Sequence, residues 1–281
     1  MFRNARLVPL LAVVVLAAAC KPSAPASAET AALPAQVVSE TPPPASEASV
    51  MLPEALKAGG GFADARAALA TAGWLPLQDR AECMANLGDR SALCYSTPEL
   101  ASCDDTGCTL DFANADALQR LSLVVGAPAA SDPDESPAFG AVTSWSLSSV
   151  AAAAPAGPCP ATDFDGLLKA FAADPLVRSR YTAPLVQVAQ TIDRGDAGDQ
   201  VQQTYVLSTD YTGFALSYRD GAWYPSVEAG APRPAPLDVR ITAEDGGAQY
   251  VNVPGNVEGV SYRFERHGEC WRLAADPDST V

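Results

Sequence analysis

One histidine, His267, serves a chain of 281 residues. Imidazole-based metal centres and hydrolytic triads both need that side chain in company, and no His-x-x-x-His pair or Gly-x-Ser-x-Gly elbow occurs. His267 stands beside Gly268, which places it in a surface turn. A glycine loop for cradling phosphate is missing as well. Basic residues are scarce: 18 Lys+Arg face 33 Asp+Glu, for a formal net charge of −15. Such a surface repels phosphate backbones and anionic headgroups, so nucleic acid is excluded as a partner. No apolar run reaches the roughly twenty residues of a membrane span. The longest, Leu7 to Ala19, also carries Pro9, which opposes a continuous helix. Aromatic residues are absent from Lys21 to Lys57, so nothing there nucleates a core.

What is present at the start is a charged, apolar and small-residue sequence in that order. Arg3 and Arg6 precede the run Leu7–Ala19, which closes as Leu16-Ala17-Ala18-Ala19-Cys20. This is the three-part layout of a secretory signal. Its end resembles the lipobox of bacterial lipoproteins, with Leu16 one position further from the cysteine than is usual in that family. The resemblance implies removal of residues 1–19 and acylation of Cys20, which becomes the new N-terminus and binds the membrane. Lys21 in the next position implies sorting to the outer membrane, with the body facing the periplasm. Each buried methylene of such an anchor contributes about 0.8 kcal/mol, and two or more chains make it stable. Loss of Arg3 and Arg6 with the signal leaves 16 Lys+Arg against the same 33 acids, a net charge of −17.

Setting Cys20 aside leaves Cys83, Cys94, Cys103, Cys108, Cys159 and Cys270, an even number suited to three disulfides in an exported chain. Six cysteines allow fifteen connectivities. Cys83–Cys94 and Cys103–Cys108 are the preferred short bridges, and Cys159 with Cys270 brackets the C-terminal part. Zinc is the rival reading for the first four. Their spacing lacks Cys-x-x-Cys knuckles, and an oxidising compartment opposes it. No cofactor is expected.

The fold class expected is α+β, with two small disulfide-stapled domains on a tether. Residues 20–57 carry Pro22, Pro25, Pro34, Pro42, Pro43, Pro44 and Pro53 among Ala, Ser and Glu. Part-extended at about 3.1 Å per residue, this tether reaches on the order of 100 Å from the anchor. Residues 58–127 form the first domain. Phe62, Ala65, Arg66 and Leu69 fall on one helical face, Gly73 caps the helix, and Trp74–Leu77 follows as a short strand. This helix-then-strand stretch is similar to a unit in small exported bacterial proteins of unknown function. Cysteines follow in a loop-rich stretch, then strands near 98–103, 108–113 and 118–125. Residues 128–158 read as a linker in which Phe139–Leu147 is a candidate strand for either neighbour.

Residues 159–281 open with the clearest helix, Phe164, Leu167, Leu168 and Phe171 on one face, with Thr162 and Asp165 at capping-box spacing. Pro175 ends it. Eight strand-like runs follow, near 185–192, 201–207, 213–218, 222–225, 237–243, 248–253, 259–265 and 270–274. A helix before an antiparallel meander is loosely similar in order to the cystatin-like and nuclear-transport-factor-like folds, and fold alone does not give function.

Two places are candidates for binding. Asp193, Asp196 and Asp199 recur every third residue, a weak pattern for calcium that fails the calcium-loop template. Trp223 and Tyr224, beside the Asp220-Gly221 turn, are the aromatic pair expected to be exposed and to contact a ligand. The reading that follows is a non-enzymatic binding or scaffolding lipoprotein, an accessory or inhibitor of another envelope protein. A structural or stress-tolerance lipoprotein without a specific ligand comes second, and a carboxylate-based hydrolase third. The sequence does not give the oligomeric state.

Overall fold

The computed structural model describes residues 52–54, 56–128, 138–151, 157–192, 200–227, 234–254 and 260–277. Cys20, the tether up to residue 51, and Asp193, Asp196 and Asp199 lie outside the described residues. No helix among the described residues is long and apolar enough to cross a membrane.

The fold is α+β, and its first half begins with helix α1, Phe62–Thr71. Phe62, Ala65 and Leu69 are buried on its inner face. The helix stops because Gly73 takes a left-handed φ of 79°, which a side chain disfavours. Its N–H then donates to Ala70 O and that of Trp74 to Leu69 O, a Schellman closure of the last turn. Strand β1, Leu75–Pro76, follows directly. Helices α2, Arg80–Leu87, and α3, Leu93–Ser96, come next, joined by a short 3₁₀ turn. The Cys83–Cys94 stretch is therefore helical where the sequence suggested loop. The reason is local: the Asp79 side chain accepts from Glu82 N at 2.9 Å and opens α2.

Strands β2 (Leu100–Cys103), β3 (Gly107–Asn114), β4 (Gln119–Gly126) and β5 (Val142–Ser149) complete this half. The strand order is β1-β3-β4-β5, with β2 also pairing β3, all antiparallel. Leu110, Phe112, Leu121, Leu123 and Val125 meet α1 and Trp74 in one core. Strand β5 is the candidate strand of the expected linker, placed at Val142–Ser149 and paired to β4, so the first half runs on to Ser149.

The second half opens with α4, Phe164–Ala173, and α5, Pro175–Arg180. The cap of α4 is Asp163, whose side chain accepts from Gly166 N at 2.7 Å, one residue beyond the expected Thr162. Pro175 does end α4, and it also starts α5, with Asp174 as the N-cap accepting from Leu176 N. Strands β6 (Thr182–Ile192), β7 (Gln200–Leu207), β8 (Leu216–Arg219), β9 (Ala222–Pro225), β10 (Arg240–Ala243), β11 (Gln249–Asn252), β12 (Ser261–His267) and β13 (Cys270–Asp276) follow. Six of them form a sheet ordered β10-β11-β12-β13-β6-β7, while β8 and β9 make a separate hairpin. Asp220 and Gly221, both at positive φ, form the tight turn of that hairpin.

The β13–β6 pair is parallel, a departure from the purely antiparallel expectation. It arises because the last strand returns to lie beside the first strand of this sheet, so the meander closes against its own beginning. Helix α4 packs Phe164, Leu167, Leu168 and Phe171 against Phe214, Leu216, Val251, Tyr262, Phe264, Trp271 and Leu273. Phe171 meets Phe214 and Phe264 edge-on, with ring centroids 4.8 and 5.2 Å apart.

The two halves touch through β1 and β7. Leu77 bridges Tyr205 in parallel, and Gln78 N donates to Tyr205 O at 2.8 Å. Leu77, Ala113 and Leu185 form a small buried core at this junction, flanked by Val150, Tyr205 and Leu207.

The three disulfides pair as expected: Cys83–Cys94, Cys103–Cys108 and Cys159–Cys270. The first ties α2 to α3, and the second joins the facing ends of β2 and β3. The third fastens the segment before α4 to the start of β13.

Candidate functional site

A groove lies along the junction. Its volume is about 710 Å³. One wall is α1, presenting Phe62, Arg66, Ala67 and Ala70, and the floor is Trp74, Leu75, Pro76 and Phe112. Phe139 closes one side, edge-on to Phe62 at 5.4 Å. The opposite wall is the start of β7, Gln200-Val201-Gln202-Gln203. β7 ends its sheet, and past the Leu77–Tyr205 bridge no strand pairs with its outer side among the described residues.

The direction of the backbone groups on that wall follows from the hydrogen bonds around it. Ser208 N donates to Pro184 O, so even-numbered residues of β7 turn their peptide groups toward β6. Odd-numbered ones turn outward, as the Tyr205 carbonyl does in accepting from Gln78. By the same alternation Gln203 and Val201 point their N–H and C=O groups into the groove. Val201 is also the most open apolar side chain on this wall, 63% exposed.

Trp74 beneath the groove is fully buried, and among the described residues its indole N–H has no acceptor. Such a donor costs about 1–3 kcal/mol when left unmade, and because it is shielded from solvent it is closed to a ligand in the groove as well. Arg66 is the cation of the groove, held from behind by buried Glu99, with Nε 2.6 Å from Oε1 and Nη2 donating to Oε2 at 3.2 Å. The groove thus combines aromatic walls, neutral amides, one fixed guanidinium and an unpaired strand edge. These are the groups that hold an extended peptide by main-chain hydrogen bonds and side-chain pockets.

The aromatic pair singled out from sequence lies elsewhere and differs in exposure. Tyr224 is buried, 6% exposed, with Arg219 over its ring at 4.7 Å. Trp223 is half-buried, its ring tilted 58° against that of Tyr218 at 4.9 Å, and its carbonyl accepts from Leu237 N at 2.8 Å. The expected exposure is therefore corrected for Tyr224. In the short β8–β9 hairpin it is Trp223, with Tyr218 opposite it, that packs against the α4 core. His267 sits exposed at the β12–β13 turn, as expected.

Buried carboxylates are each engaged by a partner. Asp111 accepts from Arg120 at 2.5 Å and from Ser122 at 2.6 Å, and Asp276 accepts from the Tyr211 hydroxyl at 2.7 Å. Burial, then the Asp276 charge, raises the Tyr211 phenol far above its ordinary range, so it remains a donor. A shallower hollow of about 370 Å³ on the outer side of β10 and β11 is lined by Arg240, Thr242, Glu244, Tyr250, Asn252 and Pro254. Its charges are already paired, Arg240 to Asp238 and Glu244 to Arg263. No group of three or more metal-ligating side chains occurs among the described residues.

No protein-family model matches the chain, and no curated protein matches it. Among solved structures it is similar to an NTF2-like protein from Bacteroides fragilis, with 15% identity and a TM-score of 0.30, over 76% of this chain and 77% of that one.

Proposed function

We propose that this is a binding or scaffolding protein of the bacterial cell envelope, held to the outer membrane through acylated Cys20 and facing the periplasm. The groove between α1 and β7 receives an extended segment of another envelope protein, to which this chain acts as accessory or inhibitor. The observation that carries the reading is the open edge of β7, whose outward peptide groups at Val201 and Gln203 face a groove floored by Trp74, Pro76 and Phe112. The backbone of a bound segment would continue the ladder at Gln203 and Val201, alongside the aromatic floor. The lipobox-like end at Cys20 and the proline-rich residues after it support the anchored, raised position.

Val201→Pro tests the groove. It removes one outward N–H and leaves the pairing of β7 to β6 intact, because Val201 does not donate to β6. Affinity capture of the tagged chain from solubilised envelopes is expected to lose its bound protein by about five-fold or more, the equivalent of one hydrogen bond of roughly 1 kcal/mol. Undiminished capture by a folded Val201→Pro chain contradicts the groove as the binding site.

A further inference from the structure

The other open edge of the fold is β5, and it carries an independent inference. Four-residue β10 begins with Arg240, and four-residue β2 ends in a disulfide, so both are short and blunted. β5 has eight residues and not one charge. Its first residues are covered: Val142 N donates to Gly60 O, and Val142 O accepts from Gly59 N. From Thr143 to Ser149 no strand pairs with its outer side among the described residues.

The side chains of this stretch are sorted by face. Trp145 stands opposite Leu123 and Leu147 opposite Leu121, both fully buried on the core face. Yet Trp145 is 38% and Leu147 44% exposed, because the core face runs out from under its cover at β5. Ser144, Ser146 and Ser148 lie on the other face. Val150 N donates to Leu118 O, so alternation turns the peptide groups of Trp145, Leu147 and Ser149 outward and those of the three serines toward β4.

We infer that β5 pairs antiparallel with β5 of a second copy of this chain, joining the two sheets across a two-fold axis at Ser146. The free stretch Thr143–Ser149 has Ser146 at its midpoint, so a pairing that uses all of it must centre there. That register sets Trp145 against Leu147 of the second copy and Leu147 against its Trp145, on one face. Ser144 meets Ser148 on the other. It also brings outward peptide groups opposite outward peptide groups, which a one-residue slip does not. The pattern is thus complementary to itself, as an isologous contact requires. Charge agrees: two chains of net charge −15 repel over most of their surface, and this stretch is where they approach without opposing like charges.

The test is cysteine pairing in the full chain exported to a bacterial envelope. Two-fold pairing at Ser146 is non-hydrogen-bonded, with Cα atoms about 4.5 Å apart. This lies within the range of a disulfide, roughly 4.4–6.8 Å. Ser144 is four residues out of register with its own copy, about 13 Å away, and so is Ser148. Ser146→Cys is therefore expected to give a covalent dimer on non-reducing gels, at least about ten-fold above Ser144→Cys and Ser148→Cys. In parallel, the detergent-purified native chain is expected to have twice the mass of a Trp145→Lys variant that retains its three disulfides. A monomeric native chain, equal cross-linking from all three positions, or a Ser146→Cys adduct with a different protein overturns the inference.

Discussion

Single residues carry most of the chemistry that was hidden in the sequence. Trp74 reads there as one aromatic in a short strand. Its complete burial beneath the groove, with no acceptor for its indole N–H among the described residues, shows only in the packed structure. Arg66 was placed on the buried face of α1 by its spacing, and a cation there needs an answer. Glu99, 33 residues away, supplies it. The Arg120–Asp111 pair is similar, and its removal can be measured. Asp111 is 3% exposed and leans on Arg120 and Ser122. Arg120→Ala leaves that carboxylate short of its cation. The loss expected is about 2 kcal/mol, below the roughly 3–5 kcal/mol of a fully buried pair, because the Arg120 side chain is 35% exposed. Denaturant unfolding of the variant checks this, and a loss near zero contradicts a structural role for the pair. Exposure of Tyr224 was misjudged from sequence for a related reason: alternation along a strand of four residues does not say which face is covered.

At the scale of elements, pattern and punctuation were legible. The helical faces of α1 and α4 and the strands β2 to β4 and β6 to β13 follow apolar spacing bounded by glycine, proline and aspartate, and each exists. The helices that escaped are short ones: α2, α3 and α5 bury few residues, so periodicity says little about them. The starts of α2 and α5 were nevertheless written in the chain, as Asp79 three residues before Glu82 and as the Asp174-Pro175 step. The β2–β3 turn shows such punctuation acting on a proton equilibrium. The Asp104 carboxylate accepts first from the Thr106 hydroxyl and then from the Thr106 and Gly107 N–H groups, which holds its pKa below the ordinary 3.8. A lowered carboxyl pKa stabilises the fold above the unfolded value, and that contribution is lost as pH falls through the folded one. Amide resonances of Thr106 and Gly107 are expected to titrate together with a midpoint below 3.8, and a midpoint above that value contradicts the turn geometry.

The whole molecule adds what neither residues nor elements show. Sequence divides the chain into two stapled domains around a linker, and the two cores are there. The strand inside that linker was legible as Phe139–Leu147, but its partner β4 and the Leu77–Tyr205 bridge were not, since both depend on pairing between distant segments. The groove arises at this junction, which explains why no local pattern announced it. The long-range disulfide acts at the same scale. Cys159–Cys270 closes a loop with a sequence separation of 111 residues. Replacing both by Ala is expected to cost about 4–5 kcal/mol in the chain-entropy view, lowering Tm by roughly 10–15 °C. Calorimetry of the double variant decides, and an unchanged Tm contradicts that contribution.

The most direct test of the anchored binding module is a photo-cross-linking side chain placed at position 201, on the open wall of the groove, in cells making the full acylated chain. One discrete adduct with a single envelope protein is expected. It should be absent when the probe stands at Leu176, 75% exposed on α5, and reduced when Cys20→Ser releases the chain from the membrane. The same diffuse set of neighbours from positions 201 and 176, or an adduct indifferent to Cys20→Ser, contradicts the account.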